Sequence, residues 1–127
     1  MITENELNIL SGEILDASIE VHRELGPGLL ESVYEECLFK ELTSREIKVE
    51  RQIELPIFYK GDRLNSNLRL DLLVANQIIV ELKSVDCILP IHQAQIITYL
   101  KLSDKSLGLL INFNERLLKN GFKRYRI

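Results

Sequence analysis

Cysteine is scarce in this sequence, which contains only Cys37 and Cys87. Each lies among apolar neighbours, and we interpret both as buried free thiols. A catalytic thiol needs a histidine, and the spacing of His22 and His92 supports no such pair. The sequence therefore gives no support for cysteine chemistry.

Long apolar runs are also missing, since none approaches the roughly 20 residues that cross a bilayer. The acidic N-terminus lacks the basic-then-apolar layout of a signal peptide. Hydrophobic residues make up 46% of the chain and charged residues 28%, which argues against disorder. No repeat, low-complexity stretch or linker divides the chain. We therefore predict a cytoplasmic protein without a membrane partner, folded as a single domain over residues 1–127.

Apolar residues at helical spacing predict two helices in the first third of the chain. Thr3 followed by Glu6 fits a capping box, and Gly26-Pro27-Gly28 ends the first helix after about 20 residues. Its apolar stripe is Leu7, Leu10, Ile14, Ala17, Val21 and Leu25. The second helix is predicted from about Leu30 to Thr43, with Val33, Cys37, Leu38 and Leu42 buried.

The apolar period then changes to two, which is typical of strands. The residues predicted to share one strand face, interrupted by Arg51, are Ile47, Val49, Ile53, Leu55 and Ile57. A turn at Gly61-Asp62 is expected to be extended by the loop Asn65-Ser66-Asn67. Further strands are predicted at Leu68–Val74, Ile78–Ser84, Leu107–Phe113 and near Phe122–Ile127, and a third helix at Pro90–Leu102. This order indicates a mixed α/β layer structure.

Charged residues interrupt one of these apolar strands. Within Ile79-Val80-Glu81-Leu82-Lys83, alternation places Glu81 and Lys83 on the same face. Charges in an interior strand are costly unless they are paired or bound to a metal. The pattern therefore marks Glu81 and Lys83 as candidate functional residues.

The register of the preceding hairpin determines whether Asp71 joins them. Residues directly opposite each other in an antiparallel ladder lie on the same face. Asp71 is opposite Glu81 only if Val74 pairs with Ile78 across the three-residue loop Ala75-Asn76-Gln77. A two-residue loop would place Asp71 on the wrong face. We predict the odd loop, because a site shared by Asp71 and Glu81 requires it and asparagine at its centre tolerates unusual backbone angles.

Two interpretations of these charges remain open from spacing alone. One is a structural salt bridge between Glu81 and Lys83. The other is a site for Mg²⁺ or Mn²⁺, which favour oxygen ligands and bridge substrate phosphates. Two carboxylates about 4 Å apart repel by roughly 4 kcal/mol at an effective dielectric of about 20, so they need a compensating cation.

Asp71 followed by Glu81-Leu82-Lys83 across a tight hairpin resembles the core of the PD-(D/E)xK nuclease superfamily. The segment from Gly28 to Tyr34 resembles the G-x-x-E-x-x-Y signature of the GxxExxY group within it. Further segments that resemble this group are Tyr59-Lys60-Gly61, Asp71–Val74 and Gly108–Phe113. Leu70 stands where the superfamily name has proline. The resemblance runs from about Glu6 to Arg124 and implies a restriction-endonuclease-like α/β (α+β) core, a central mixed sheet flanked by helices.

The resemblance also implies roles for individual residues. Asp71 and Glu81 would bind Mg²⁺ or Mn²⁺, with the carbonyl of Leu82 as a further ligand. Lys83 would orient or deprotonate the attacking water. Glu31 resembles the carboxylate that the superfamily's first core helix contributes to the metal or its waters.

Gln95 and Tyr99, one helical turn apart, resemble the Q-x-x-x-Y motif of RecB-like nucleases and would contact substrate. A simple pair on the helix surface is the alternative. Tyr34 is expected to pack or to form a hydrogen bond rather than to react, and His22 and His92 are expected at the surface.

The resemblance implies a Mg²⁺-dependent nuclease acting on DNA or RNA. The alternatives are a nucleic-acid- or protein-binding module that retains the fold with little catalysis, and a scaffold with a structural Glu81–Lys83 pair. A net charge of −3 is unusual for a nucleic-acid binder, although metal-binding carboxylates contribute to it. The C-terminal basic residues form either a phosphate-contacting strip or a solvated tail: Arg116, Lys119, Lys123, Arg124 and Arg126. A chain this small is expected to need a second subunit to hold a long substrate, so a homodimer is anticipated.

Overall fold

Helices and strands follow one another in the order that the sequence predicts. The computed structural model describes residues 1–127. The helices are α1 (Glu4–Leu25), α2 (Glu31–Ser44) and α3 (Pro90–Ser103), with a 3₁₀ helix at Leu118–Gly121 that the sequence did not predict. The strands are β1 (Val49–Tyr59), β2 (Asp62–Val74), β3 (Ile78–Lys83), β4 (Leu107–Asn112) and β5 (Phe122–Arg126). No helix is both long enough and apolar enough to cross a membrane.

Helix α1 begins and ends at the predicted signals. The Thr3 hydroxyl accepts a hydrogen bond from the Glu6 amide, and the Glu6 carboxylate accepts one from the Thr3 amide, both at 3.1 Å. This capping box satisfies two amides that the first helical turn leaves without partners. At the other end Gly26 adopts a φ of 73°, which glycine reaches without steric cost.

Helix α2 buries a different face from the predicted one. Leu38 and Leu42 are buried as expected, but Cys37 is only half-buried and Val33 is exposed. Tyr34 and Glu35 are buried instead. The reason is tertiary, since the Tyr34 ring stacks on Phe113, the residue directly after β4, and this contact turns the Tyr34 face of the helix inward. Cys87 is exposed, so the prediction of two buried thiols is wrong.

The five strands form one mixed sheet in the order β1-β2-β3-β4-β5. Strands β3 and β4 are parallel and are joined by α3, whereas the other neighbouring pairs are antiparallel. The predicted loop at Asn65–Asn67 is wrong, because these residues lie within β2, where Asn67 pairs with Pro56 of β1 just before an irregularity in the register. Both strands are exposed there, so polar side chains fit an extended strand.

Hydrophobic clusters lie on both faces of the sheet. The larger contains the buried residues of α1 and α2, and the smaller contains Leu100 of α3. The predicted single apolar face of β1 is wrong: Ile47 and Val49 pack against the larger cluster, but Ile53, Leu55 and Ile57 pack against the smaller one. The change occurs at Gln52, whose φ of 47° interrupts the regular alternation of side chains.

Candidate active site

Asp71 and Glu81 meet where the hairpin between β2 and β3 opens. Val74 pairs with Ile78 and Leu72 with Val80, as predicted, and extending this register by one residue beyond the ladder places Asp71 opposite Glu81. At this point the backbone hydrogen bonds between β2 and β3 end, and the carboxylates of Asp71 and Glu81 accept hydrogen bonds from the backbone instead. The Asp71 amide donates to Glu81 Oε2 at 2.9 Å, and the Leu82 amide donates to Asp71 Oδ2 at 2.9 Å. Each carboxylate is therefore fixed by the backbone of the opposite strand.

The loop of this hairpin has the backbone that the odd register requires. Ala75 and Asn76 both have positive φ, at 52° and 57°. The Gln77 amide donates to the Val74 carbonyl at 2.9 Å and closes the turn. The predicted three-residue loop with Val74 opposite Ile78 is thus confirmed.

Burial and a like charge together make the Glu81 carboxyl hard to ionise. Its side chain is only 6% exposed. Desolvation, followed by the negative charge of Asp71, raises the pKa of Glu81 from 4.5 to about 8, and Lys83 opposes this increase. A cation placed between these carboxylates would offset both the cost of burying the Glu81 charge and its repulsion with Asp71, and so would favour the ionised form.

Lys83 lies at the end of β3 and is half-buried. It makes no ion pair within 4.0 Å, so the Glu81–Lys83 salt bridge is not formed. Its charge still lowers the pKa values of both Glu81 and Glu31. Lys83 therefore influences the ionisation of both acids without forming an ion pair with either.

The N-terminus of α2 brings Glu31 to the same place. Partial burial raises the pKa of Glu31, the charge of Asp71 raises it further, and the charge of Lys83 together with a backbone hydrogen bond to Ser84 lowers it. The Ser84 hydroxyl donates to the Leu29 carbonyl at 2.6 Å, which ties the segment before α2 to the end of β3. Glu31 thus lies at the exposed rim of the site.

Helix α3 contributes Tyr99 but not an equally placed Gln95. Tyr99 is half-buried, and burial followed by the charges of Glu81 and Asp71 raises its pKa. The Tyr99 hydroxyl therefore experiences the charge of both carboxylates. Gln95 is exposed and its side chain has no hydrogen bond within the protein.

The two histidines form hydrogen bonds with the backbone. His92 caps α3 by accepting from the Leu89 amide at 3.0 Å, and His22 contacts the Glu115 carbonyl at 2.7 Å.

Asp71, Glu81 and the Leu82 carbonyl supply oxygen donors, the type that Mg²⁺ and Mn²⁺ prefer. The structure contains no group of three or more histidine, cysteine, aspartate or glutamate side chains that could hold a metal by themselves. Mg²⁺ commonly binds through one or two carboxylates, several waters and substrate phosphates. The residues present fit a cation of that kind better than a closed protein cage.

Sequence reasoning missed the polar residues that surround this centre. Glu35 is 7% exposed and binds both Arg51 and Gln52. The available signal was Arg51, a charge on an otherwise apolar strand face. Asn112 is fully buried, accepting from the Val85 amide at 3.1 Å and donating to the Val85 carbonyl at 2.9 Å, which anchors the segment after Lys83.

Comparison with known proteins agrees with the topology. The fold is similar to that of SSO0001, known from a crystal structure, with a TM-score of 0.52 and 24% sequence identity. The match covers 76% of this chain and 48% of SSO0001, so the chain spans about half the length of that protein. At this identity the similarity shows the fold alone. No curated protein matches the chain.

A family model matches residues 8–125, nearly the whole sequence. It describes the PD-(D/E)XK nuclease superfamily. Both the mixed sheet flanked by helices and the matched range agree with this assignment. The chain therefore belongs to the PD-(D/E)XK nuclease superfamily.

Proposed function

We propose that this protein is a Mg²⁺- or Mn²⁺-dependent nuclease of the GxxExxY group that hydrolyses phosphodiester bonds in DNA or RNA. The observation that carries the proposal is the pair of 2.9 Å hydrogen bonds that fix Asp71 and Glu81 opposite each other. A buried glutamate facing a half-buried aspartate, with a lysine nearby that makes no ion pair, is poorly suited to stabilising a fold. It suits a site that gains a divalent cation.

Asp71, Glu81 and the Leu82 carbonyl would hold the cation, with Glu31 binding it directly or through water. The bound cation would lower the pKa of a water molecule and offset charge on the phosphate. Lys83 would orient or deprotonate the attacking water and stabilise the phosphate, which its freedom from an ion pair allows.

Tyr99 and Gln95 would contact the substrate. The Tyr99 hydroxyl is neutral at pH 7 like that of an ordinary tyrosine, and burial raises its pKa further, so it can donate a hydrogen bond to a phosphate oxygen. Gln95, exposed one turn away, has both amide hydrogens available.

The basic residues near the C-terminus fall into two groups. Arg124 donates to Asn8 at 2.9 Å, and Arg126 pairs with Glu4. Arg116, Lys119 and Lys123 are exposed and make no ion pair, so they would be free to contact phosphates.

A cleavage screen tests the proposal. Single-stranded and double-stranded DNA, RNA and branched DNA would be incubated with the protein in Mg²⁺, in Mn²⁺ and in EDTA. We expect cleavage of at least one substrate that requires the cation and is lost in Asp71→Asn. Asp62→Asn, at the exposed first residue of β2, should cleave like the wild type.

Two results would reject this function. Equal cleavage by Asp71→Asn would place the activity outside the site. Binding of nucleic acid without cleavage of any substrate would instead favour a binding module that retains the nuclease fold.

A further inference from the structure

Two adjacent residues of β1 reach the same buried carboxylate. Arg51 donates to Glu35 Oε2 through Nε at 3.3 Å and through Nη2 at 3.2 Å. Gln52 donates through Nε2 to Glu35 Oε1 at 2.7 Å. Neighbouring side chains in a regular strand point to opposite faces, so both could not reach Glu35 from regular β1 geometry.

The backbone of Gln52 makes this arrangement possible. Its φ of 47° is in the left-handed region, which is unfavourable for a residue with a Cβ atom. Gln52 lies opposite Asp71 in the register that pairs Arg51 with Leu72 and Ile53 with Leu70. A strained backbone is retained where surrounding contacts enforce it, and such positions cluster at functional sites.

Gln52 also extends from Glu35 to Asp71. Its Nε2 lies 3.5 Å from Asp71 Oδ1, a long contact, and carries two hydrogens, one for each carboxylate. The orientation of the amide follows from its neighbours, because the amide oxygen would be repelled by both acids. Leu82 already donates to Asp71 Oδ2, so Gln52 constrains the other oxygen of the same carboxylate.

Glu35 is itself held firmly in place. Each of its oxygens has a donor, and Arg51 lies 5.6 Å from the centre of the Phe39 ring on the same helix. Glu35 follows Glu31 by one helical turn, so α2 provides one acid at the rim of the site and another beneath it.

We propose that Gln52, held by Glu35 and Arg51, is a positioning residue that sets the orientation of the Asp71 carboxylate. The effect of Gln52 on cation binding rests on the proposed nuclease function. The orientation of the Asp71 carboxylate, in contrast, is a property of the metal-free protein. Gln52 need not touch substrate or cation to act in this way.

The test uses Gln52→Gly, which removes the side chain and accepts the positive φ, so relief of the backbone strain should offset part of the cost of losing the hydrogen bond to Glu35. Urea unfolding confirms that the variant is folded before exchange is measured. The readout is the hydrogen-exchange rate of the Leu82 amide, measured by NMR in EDTA. It is divided by the exchange rate of the Val80 amide, which lies two residues earlier in β3 where the strand pairs regularly with β2. If Gln52 orients Asp71, the Leu82-to-Val80 ratio should rise about tenfold or more. Glu54→Gln, which breaks the exposed Arg69–Glu54 pair two residues further along β1, should leave the ratio unchanged.

A Mn²⁺ titration of the same proteins gives the second measurement. Gln52→Gly should bind Mn²⁺ about 10- to 100-fold more weakly, the usual effect of losing a residue that orients a metal ligand. An unchanged exchange ratio in Gln52→Gly would overturn the positioning role. Absence of Mn²⁺ binding and cleavage in the wild type would instead reject the nuclease function, while the exchange ratio would still decide the role of Gln52.

Discussion

The Tyr34 ring of α2 stacks on the Phe113 ring at the end of β4, with centroids 4.6 Å apart and planes inclined by 12°. The Tyr34 hydroxyl donates to the Gly26 carbonyl at 2.6 Å and accepts from the Leu29 amide at 3.1 Å. The tyrosine of the G-x-x-E-x-x-Y signature thus closes the segment between α1 and α2. As expected from the sequence, it packs and forms hydrogen bonds, and it fixes the helix that carries Glu31.

Replacing Tyr34 with phenylalanine should therefore destabilise the protein while keeping the stacked ring. The variant loses two hydrogen bonds in a partly buried segment, which we expect to cost about 1–3 kcal/mol. Urea unfolding measures this as a lower midpoint with an unchanged slope. Tyr125→Phe is the matched control, because its hydroxyl makes no hydrogen bond within the protein and its loss should change the midpoint little. A midpoint for Tyr34→Phe equal to that of the wild type would contradict the role of the hydroxyl.

The facing of Asp71 and Glu81 could be predicted because two-residue and three-residue loops give opposite parities, and only the three-residue loop brings the two carboxylates together. The order of the main elements also followed from apolar periods and from caps such as Thr3–Glu6. These signals are local and lie within one hairpin or one helix. The roles of the site residues remain predictions, since geometry alone does not measure chemistry.

The errors come from contacts between distant segments. Val33 was expected in the core because helical spacing cannot show that Tyr34 stacks on Phe113. The left-handed backbone of Gln52 has no local signal, since glutamine rarely adopts it. The burial of Glu35 could have been inferred only from Arg51, a charge that needs an acidic partner on some other element.

The raised pKa of Glu81 predicts that the metal-free protein becomes less stable as pH rises from about 5 to 8. The folded state keeps a proton that the unfolded chain, with an ordinary pKa of 4.5, has released. The stabilisation is therefore fully present below the unfolded pKa and lost as pH rises through the folded pKa, with a slope of at most about 1.4 kcal/mol per pH unit for one proton.

Unfolding by urea in EDTA across this range measures the effect. Glu81→Gln should have a flatter profile, because glutamine can accept the Asp71 amide without titrating. Subtracting the two profiles removes the contributions of other groups that titrate in the same window. Parallel profiles for the two proteins would show that Glu81 is ionised throughout.

Mn²⁺ should raise the melting temperature of the wild-type protein. A ligand that binds only the folded form at about 100 times its Kd stabilises by about 2.7 kcal/mol, a shift of roughly 10 °C for a chain of this size. Asp71→Asn should abolish the shift and still fold, since asparagine can accept the Leu82 amide. An equal shift in Asp71→Asn, measured by differential scanning calorimetry, would place the cation elsewhere.

Lys83→Ala separates a catalytic lysine from a structural one. If Lys83 serves the attacking water, the variant should lose about 10²–10⁴ of the cleavage rate, the usual value of positioned proton transfer. Its Mn²⁺ affinity should stay the same or rise, because a positive charge leaves the site. Its stability with Mg²⁺ present should also stay the same or rise, since Lys83 makes no ion pair whose loss would strand a partner.

A structural role predicts the opposite sign for stability. Removing one member of a buried pair typically costs about 3–5 kcal/mol, because the remaining charge loses its partner. Lys101→Ala, an exposed position on α3, should match the wild type in stability and cleavage. Unfolding of Lys83→Ala at a much lower urea concentration, with its cleavage rate per folded molecule retained, would rule out the catalytic role and leave Lys83 as part of the fold.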